Sequence, residues 1–189
     1  ATDGVVPMAK GTDEVVQDAW KVMESIREIQ QLNGPRGCHR FIISNCRGAE
    51  DVIRLFTMAR HAYTGSEMTL DFVPLFETVE DLAGAPDQMR TLFATEAYRN
   101  HVAGRGDVQH VMLGFSDGTK DGGYLRANWS IHQAKERLSA VCREAGVEVV
   151  FFDGRGGPPA RGGGNTHRFY ASLGPVSYTH LTLPTILLV

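Results

Sequence analysis

Three features of the sequence predict an α/β protein built on a parallel sheet. Strand-like apolar runs at residues 40–46 (RFIISNC), 70–76 (LDFVPLF), 108–115 (VQHVMLGF) and 147–152 (VEVVFF) recur at intervals of roughly 30–40 residues, with helical periodicity between them. Such spacing fits right-handed crossover units. The last run does not alternate, as expected of a strand buried on both faces. Four units of this kind make half of an eightfold β/α barrel or a small open sheet, and the pattern alone allows both.

The elements follow in order. Thr12 can cap a first helix, with Asp13 and Glu14 in its positive first turn. Val16, Trp20, Met23, Ile26 and Ile29 then recur at helical spacing until Asn33-Gly34-Pro35 breaks the run. A helix over residues 49–61 follows the first strand, and Thr64-Gly65-Ser66 closes that unit. Pro74 is a caution for the second strand, because proline donates no ladder hydrogen bond and is usually confined to strand edges or bulges. Pro86 suits the first turn of a third helix running to His101. A long helix is expected over residues 123–145, with Leu125, Trp129, Leu138, Val141 and Cys142 on or near one face and Gly146 ending it.

Composition narrows the class. The chain has 189 residues, 19 Lys+Arg against 22 Asp+Glu, and 42% hydrophobic residues, the profile of a globular protein. Its formal net charge of −3 argues against a general nucleic-acid binder, whose affinity comes from clustered cations on phosphates. Cys38, Cys46 and Cys142 form no metal-ligand spacing and read as reduced thiols in a cytoplasmic setting. The first 15 residues mix Asp3, Lys10, Asp13 and Glu14 into a polar run unlike a signal peptide. At the other end, residues 181–189 (LTLPTILLV) are too short for a membrane span. Residues 176–185 (VSYTHLTLPT) resemble a one-frame translation of a transposase adapter used in DNA sequencing libraries. The expected division is therefore 1–174 as natural protein and 175–189 as a non-native tail that packs poorly.

Polar chemistry gathers where the strands end. In parallel β/α proteins functional groups collect at the carboxyl ends of strands. The second strand runs into Glu77, the third into Ser116-Asp117-Gly118-Thr119-Lys120, and the fourth into Asp153-Gly154-Arg155-Gly156-Gly157. Glu77 or Asp117 alone is more often a helix cap or a solvated charge. Together on successive strand ends they resemble a hard-cation site suited to Mg²⁺ or Mn²⁺. Lys120 either pairs with Asp117 or Asp121 or brings a point charge to a phosphate or carboxylate. Residues 154–164 (GRGGPPARGGG) pack six glycines and two arginines into 11 positions. An anion-binding loop is the preferred reading: Gly156 and Gly157 let backbone N–H groups approach, while Arg155 and Arg161 each offer a planar fork. A non-catalytic RNA-binding module using these arginines is the alternative. A different β/α enzyme of phosphorylated metabolites is a third. His110 in a strand and His132 in a helix read as structural, and residues 114–120 do not have Walker spacing.

The motifs VMLGFSDGTKDGG (residues 111–123), FFDGRGGPPARGGG (151–164) and PLFETVEDL (74–82) occur in an order and spacing that resemble the phosphoenolpyruvate carboxylase family, and FIIS (41–44) fits an earlier strand. The resemblance implies an internal fragment, bacterial in type: an incomplete part of a parallel β/α barrel from a mostly helical, cytoplasmic, homotetrameric enzyme. It implies carboxylation of phosphoenolpyruvate by bicarbonate, an anaplerotic carbon fixation feeding the tricarboxylic acid cycle, that yields oxaloacetate and phosphate with Mg²⁺ or Mn²⁺. No nucleic acid or membrane partner is implied. Glu77 and Asp117 match the family's metal carboxylates, and Lys120 matches the lysine of its active-site signature. Arg155 matches the arginine on the substrate phosphate, beside Gly156 and Gly157, and Arg161 the essential arginine of the glycine-rich loop. Asp153 stands where most relatives carry histidine, an extra carboxylate that needs a cation, for which a nearby arginine is the expected partner. Pro158-Pro159-Ala160 replaces the usual Ser/Thr-x-Gly, and Phe115 replaces a tyrosine. The family's catalytic histidine belongs to an N-terminal motif that these residues do not include, so the fragment alone is expected to be inactive.

Overall fold

A computed structural model describes residues 14–114, 120 and 122–154. The first helix, α1 (Glu14–Asn33), stops at Gly34, whose φ of 80° suits glycine. Trp20, Met23 and Ile26 are buried as expected, but Ile29 is exposed and Gln30 takes the inward place. Gln30 is a polar joint: its Oε1 accepts from Tyr63 Oη at 2.8 Å and Thr69 Oγ1 at 2.9 Å, and its Nε2 donates to the Cys38 carbonyl at 2.6 Å. After a short turn at Pro35–Gly37, β1 covers Arg40–Ile43. This strand is shorter than predicted because Asn45 turns the chain with φ 52°. Next come α2 (Ala49–Ala62) and β2 (Asp71–Phe76).

The third helix differs from expectation. It begins at Val79, not Pro86, because Thr78 and Asp81 form a reciprocal capping box. Thus α3 spans Val79–Ala94 with Pro86 buried in its interior. Thr95 then adopts extended backbone and separates it from α4 (Glu96–Gly104), so the single helix expected up to His101 is two. Strand β3 is Val108–Gly114, α5 is Tyr124–Glu144 and β4 is Glu148–Gly154, with Gly146 at φ 66° ending α5.

The four strands are parallel and lie in the order β1-β2-β3-β4. Each crossover moves one place in the same direction, which is how a β/α barrel wall is laid down; a doubly wound sheet reverses direction. The described residues are thus an incomplete part of such a barrel. Within the sheet Pro74 is interior, not at an edge. The β1 partner of Pro74 is Ile43, while the registered β2–β3 pairs, Leu75↔Met112 and Phe76↔Leu113, fall after it. Before it, a side chain substitutes for the ladder: Gln109 Nε2 donates to the Phe72 carbonyl at 2.9 Å.

The helix-facing side of the sheet carries the core. Phe56 makes edge contacts with Phe72 at 5.7 Å and Tyr98 at 5.5 Å between ring centroids. The inward stripe of α5 is Ala127, Ile131, Ala134, Lys135, Leu138, Val141 and Cys142. Leu125 and Trp129, expected on that face, are 82% and 57% exposed. The 4-3-4-3 spacing from Ala127 to Val141 sets the stripe, and it runs through small residues instead of the bulkier pair. All three cysteines are free thiols, and burial pushes Cys46 up to about 11 and Cys142 up to about 12. Among the described residues no helix is long and apolar enough to cross a membrane.

On the other face, at the amino end of β3, His110 is buried with Nδ1 lacking a hydrogen bond among the described residues. Burial first, then the nearby Arg40, push its imidazole down to about 4. The unfolded chain therefore binds a proton that the folded chain refuses. Stability should be full above about pH 6.5 and fall as pH drops towards 4, by about 2 kcal/mol from this group. Replacing His110 with Gln should flatten that acid limb in thermal unfolding measured across pH.

Candidate functional site at the strand ends

The register fixes the height of the rim. Phe76 pairs with Leu113, Leu113 with Asp153, and Gly114 with Gly154. The residues that leave β2, β3 and β4 therefore emerge level on neighbouring strands, which lie about 4.8 Å apart. Glu77 occupies the single position between the end of β2 and Thr78, the N-cap of α3. Strand on one side and capping box on the other hold its backbone. Its Oε2 accepts a hydrogen bond from Asn45 N at 3.1 Å, tying the rim to the loop after β1.

Space beside Glu77 is tight for anything larger than glycine. A Cβ on Gly114 would come to 3.1 Å from Glu77 Cα, 3.2 Å from its Cγ and 3.3 Å from the Phe76 carbonyl oxygen. A Cβ on Gly154 would meet Met112 Cε at 2.7 Å and the Leu113 carbonyl oxygen at 3.2 Å. The two glycines keep β3 and β4 packed closely where the rim begins. Lys120 is exposed and lies just ahead of α5. Asp117, Arg155, Gly156, Gly157 and Arg161 lie outside the described residues, as does the tail from 175 onward.

Sequence reasoning missed one residue here. Asp153 is paired not with an arginine but with Lys135, whose Nζ lies 2.9 Å from each carboxylate oxygen. The contact to Oδ2 is aligned as a hydrogen bond, whereas Oδ1 is held by charge alone. Both side chains are only 3% exposed. The Lys135 ammonium also lies 5.8 Å from the centre of the Phe151 ring. The signal was present: Lys135 follows Ile131 by four positions on the buried stripe of α5, where an apolar residue is expected.

Rim chemistry is that of hard oxygen donors. The Glu77 carboxylate suits Mg²⁺ or Mn²⁺, although among the described residues no group of three or more His, Cys, Asp or Glu side chains is gathered as a ligand set. His132, on α5, lies 3.6 Å from Glu136 on the surface.

A parallel wall with consecutive strand order and a carboxylate at its carboxyl rim is the architecture of part of a β/α barrel. Comparison with known proteins gives the particular family. The phosphoenolpyruvate carboxylase family profile matches residues 3–175. Relatives named phosphoenolpyruvate carboxylase include one from Rhodothermus marinus, 37% identical over 185 residues, covering 91% of this chain and 20% of the relative. Another, from Thermus sp. (strain 71), is 43% identical over 150 residues, covering 78% and 17%. A third, from Xanthomonas euvesicatoria pv. vesicatoria, is 38% identical over 168 residues, covering 87% and 19%. The chain belongs to the phosphoenolpyruvate carboxylase family, and it spans about one fifth of the length of these curated relatives.

The two rim glycines should respond differently to alanine in the intact protein. Gly114→Ala meets backbone atoms and should destabilise by about 1–3 kcal/mol. Gly154→Ala meets chiefly the flexible end of Met112 and should be milder, a ranking that denaturant titration checks.

Proposed function

We propose that this chain supplies the metal and anion side of a phosphoenolpyruvate carboxylase site, in a protein that converts phosphoenolpyruvate and bicarbonate into oxaloacetate and inorganic phosphate. The observation that carries this is the level rim: Glu77, the segment leading to Asp117 and Lys120, and the segment opening with Arg155 start from three adjacent strand ends. Family membership over residues 3–175 supports the same assignment and supports reading 175–189 as lying outside the enzyme.

On this reading Arg155 holds the substrate phosphate, with Gly156 and Gly157 opening the backbone to it, and Arg161 and Lys120 add positive charge. A bicarbonate oxygen attacks phosphorus, and the bond from phosphorus to the enol oxygen breaks. The products are carboxyphosphate and the enolate of pyruvate. Carboxyphosphate then separates into carbon dioxide and phosphate, and the enolate carbon attacks the carbon dioxide. The cations of this chain favour the step because negative charge shifts onto the enolate oxygen and the departing phosphate. Glu77 and Asp117 would hold Mg²⁺ or Mn²⁺, which supplies Lewis-acid stabilisation of the same charge when bound. The whole protein is proposed to be a cytoplasmic homotetramer serving anaplerotic carbon fixation.

The 189-residue chain alone is proposed to lack turnover. Among the described residues no strand pairs with the outer edges of β1 and β4, and the family's N-terminal histidine motif is not among the residues of the chain.

Two measurements test the reading. In a full-length protein carrying this segment, oxaloacetate formation should require Mg²⁺ or Mn²⁺. Glu77→Gln should lower kcat/KM by about 10²–10³-fold, and unchanged activity would remove Glu77 from the metal site. The purified 189-residue chain should form no oxaloacetate, and detectable product would overturn its assigned inactivity.

A further inference from the structure

The turn after β1 is tied to the end of β2 and to both α2 and α3. Asn45 takes φ 52°, in the left-handed region that residues with side chains seldom visit. Its backbone N–H donates to Glu77 Oε2 at 3.1 Å. Directly after it, Cys46 is buried. Arg47 is then fixed by the two helices: its N–H donates to Asp51 Oδ2 and its carbonyl accepts from Gln88 Nε2, both at 3.1 Å. The Asn45 side chain is used separately, its Oδ1 accepting from Arg47 Nε at 3.2 Å.

Two demands meet at position 45. The amide has to face the neighbouring strand end, where Glu77 stands, and the chain has to turn so that Cys46 enters the core and Arg47 reaches both helices. The left-handed residue satisfies both, and asparagine takes that conformation at lower cost than most side chains. Backbone held in a sparsely populated region clusters at functional sites, where the surrounding structure sustains it. A carboxylate has two oxygens, and a hydrogen bond to one fixes how the other is presented. Among the described residues no other hydrogen bond reaches Glu77, which leaves Oε1 for a ligand. Carboxylates that bind metals depend on such outer hydrogen bonds, whose loss typically weakens metal affinity about 10–100-fold.

We propose that Asn45 is a positioning residue of the metal site: its left-handed backbone aims an amide N–H at Glu77 Oε2 and so presents Oε1 to a hard divalent cation. The proposal rests on the reading of Glu77 as a metal carboxylate. Position 45 then requires a backbone conformation, and the amide side chain is dispensable for metal binding.

The test measures Mn²⁺ binding directly, by electron paramagnetic resonance of the free ion, in the full-length protein carrying this segment and without substrate. Asn45→Val places a β-branched residue where φ is positive and should weaken Mn²⁺ binding about 10–100-fold. Asn45→Gly adopts the left-handed conformation freely and should stay within about threefold of the parent. Both variants lose the bond to Arg47, so a side-chain role predicts equal losses, and equal losses overturn the proposal. Should Asn45→Val fail to fold, Asn45→Ala replaces it and should bind Mn²⁺ about threefold or more weakly than Asn45→Gly; equal affinities of these two overturn the proposal. Lower thermal stability of Asn45→Val with parental Mn²⁺ affinity also overturns it, since a turn that only supports the fold predicts that result. Glu77→Gln separates the proposal from the reading beneath it. Unchanged Mn²⁺ binding in Glu77→Gln removes Glu77 as a ligand, and the proposal with it. Lost binding in Glu77→Gln beside parental binding in Asn45→Val defeats the proposal alone.

Discussion

Pairing of Phe76 with Leu113 and of Leu113 with Asp153 sets three strand ends at one height, and the chemistry of the molecule is arranged from that line. Parallel register is demanding because a slip of one residue turns every side chain to the opposite face. Here it would send Asp153 away from Lys135 and bring a side chain in place of Gly114 against Glu77. The apolar layer between sheet and helices enforces the register: Phe72, Leu113 and Phe151 must all face that layer together. Packing in the core and placement of charge at the rim are thus one constraint.

The same line explains why the local devices around it are strong. Glu77 has no slack, since the strand ends one residue before it and the capping box begins one residue after. A Cβ on Gly114 would crowd the Glu77 backbone, so the strand carrying it passes close with little room to spare. Even Pro74, placed where a central strand should suffer, is accommodated because the β2–β3 pairs resume only beyond it and Gln109 serves the Phe72 carbonyl below it. A polar side chain inside the core thereby replaces a backbone donor, at the cost of burying an amide that Tyr98 Oη must also satisfy at 2.9 Å.

Much of this was legible in the sequence, for physical reasons. Apolar runs separated by helical periodicity give parallel crossover units, and the motifs after the strands identify the family before any coordinates. Helix boundaries were harder. Pro86 drew attention because proline is such a strong signal, yet Thr78 and Asp81 outweigh it by satisfying the orphan amides of the first turn. On α5, large apolar residues misled: Leu125 and Trp129 are bulky but off the stripe, and Ala127 and Ala134 are small but on it. Lys135 is marked in the sequence as a cation on the apolar stripe, but its pairing with Asp153 is not, because the two are 18 positions apart and only the packing of α5 on β4 brings them together. Glu77, by contrast, follows directly from being the first residue past a strand.

Consecutive strand order has a consequence for how such a wall comes into being. Every strand finds its neighbour through the helical crossover that immediately precedes it, so the pairings join segments close along the chain. Each closure spans only one crossover, a smaller loop-closure cost than a pairing across the whole wall would carry. A growing polypeptide could therefore add β2 to β1, β3 to β2 and β4 to β3 in the order of synthesis. The rim would be completed from one side, with Glu77 in place before the residues that follow β3 and β4 have emerged.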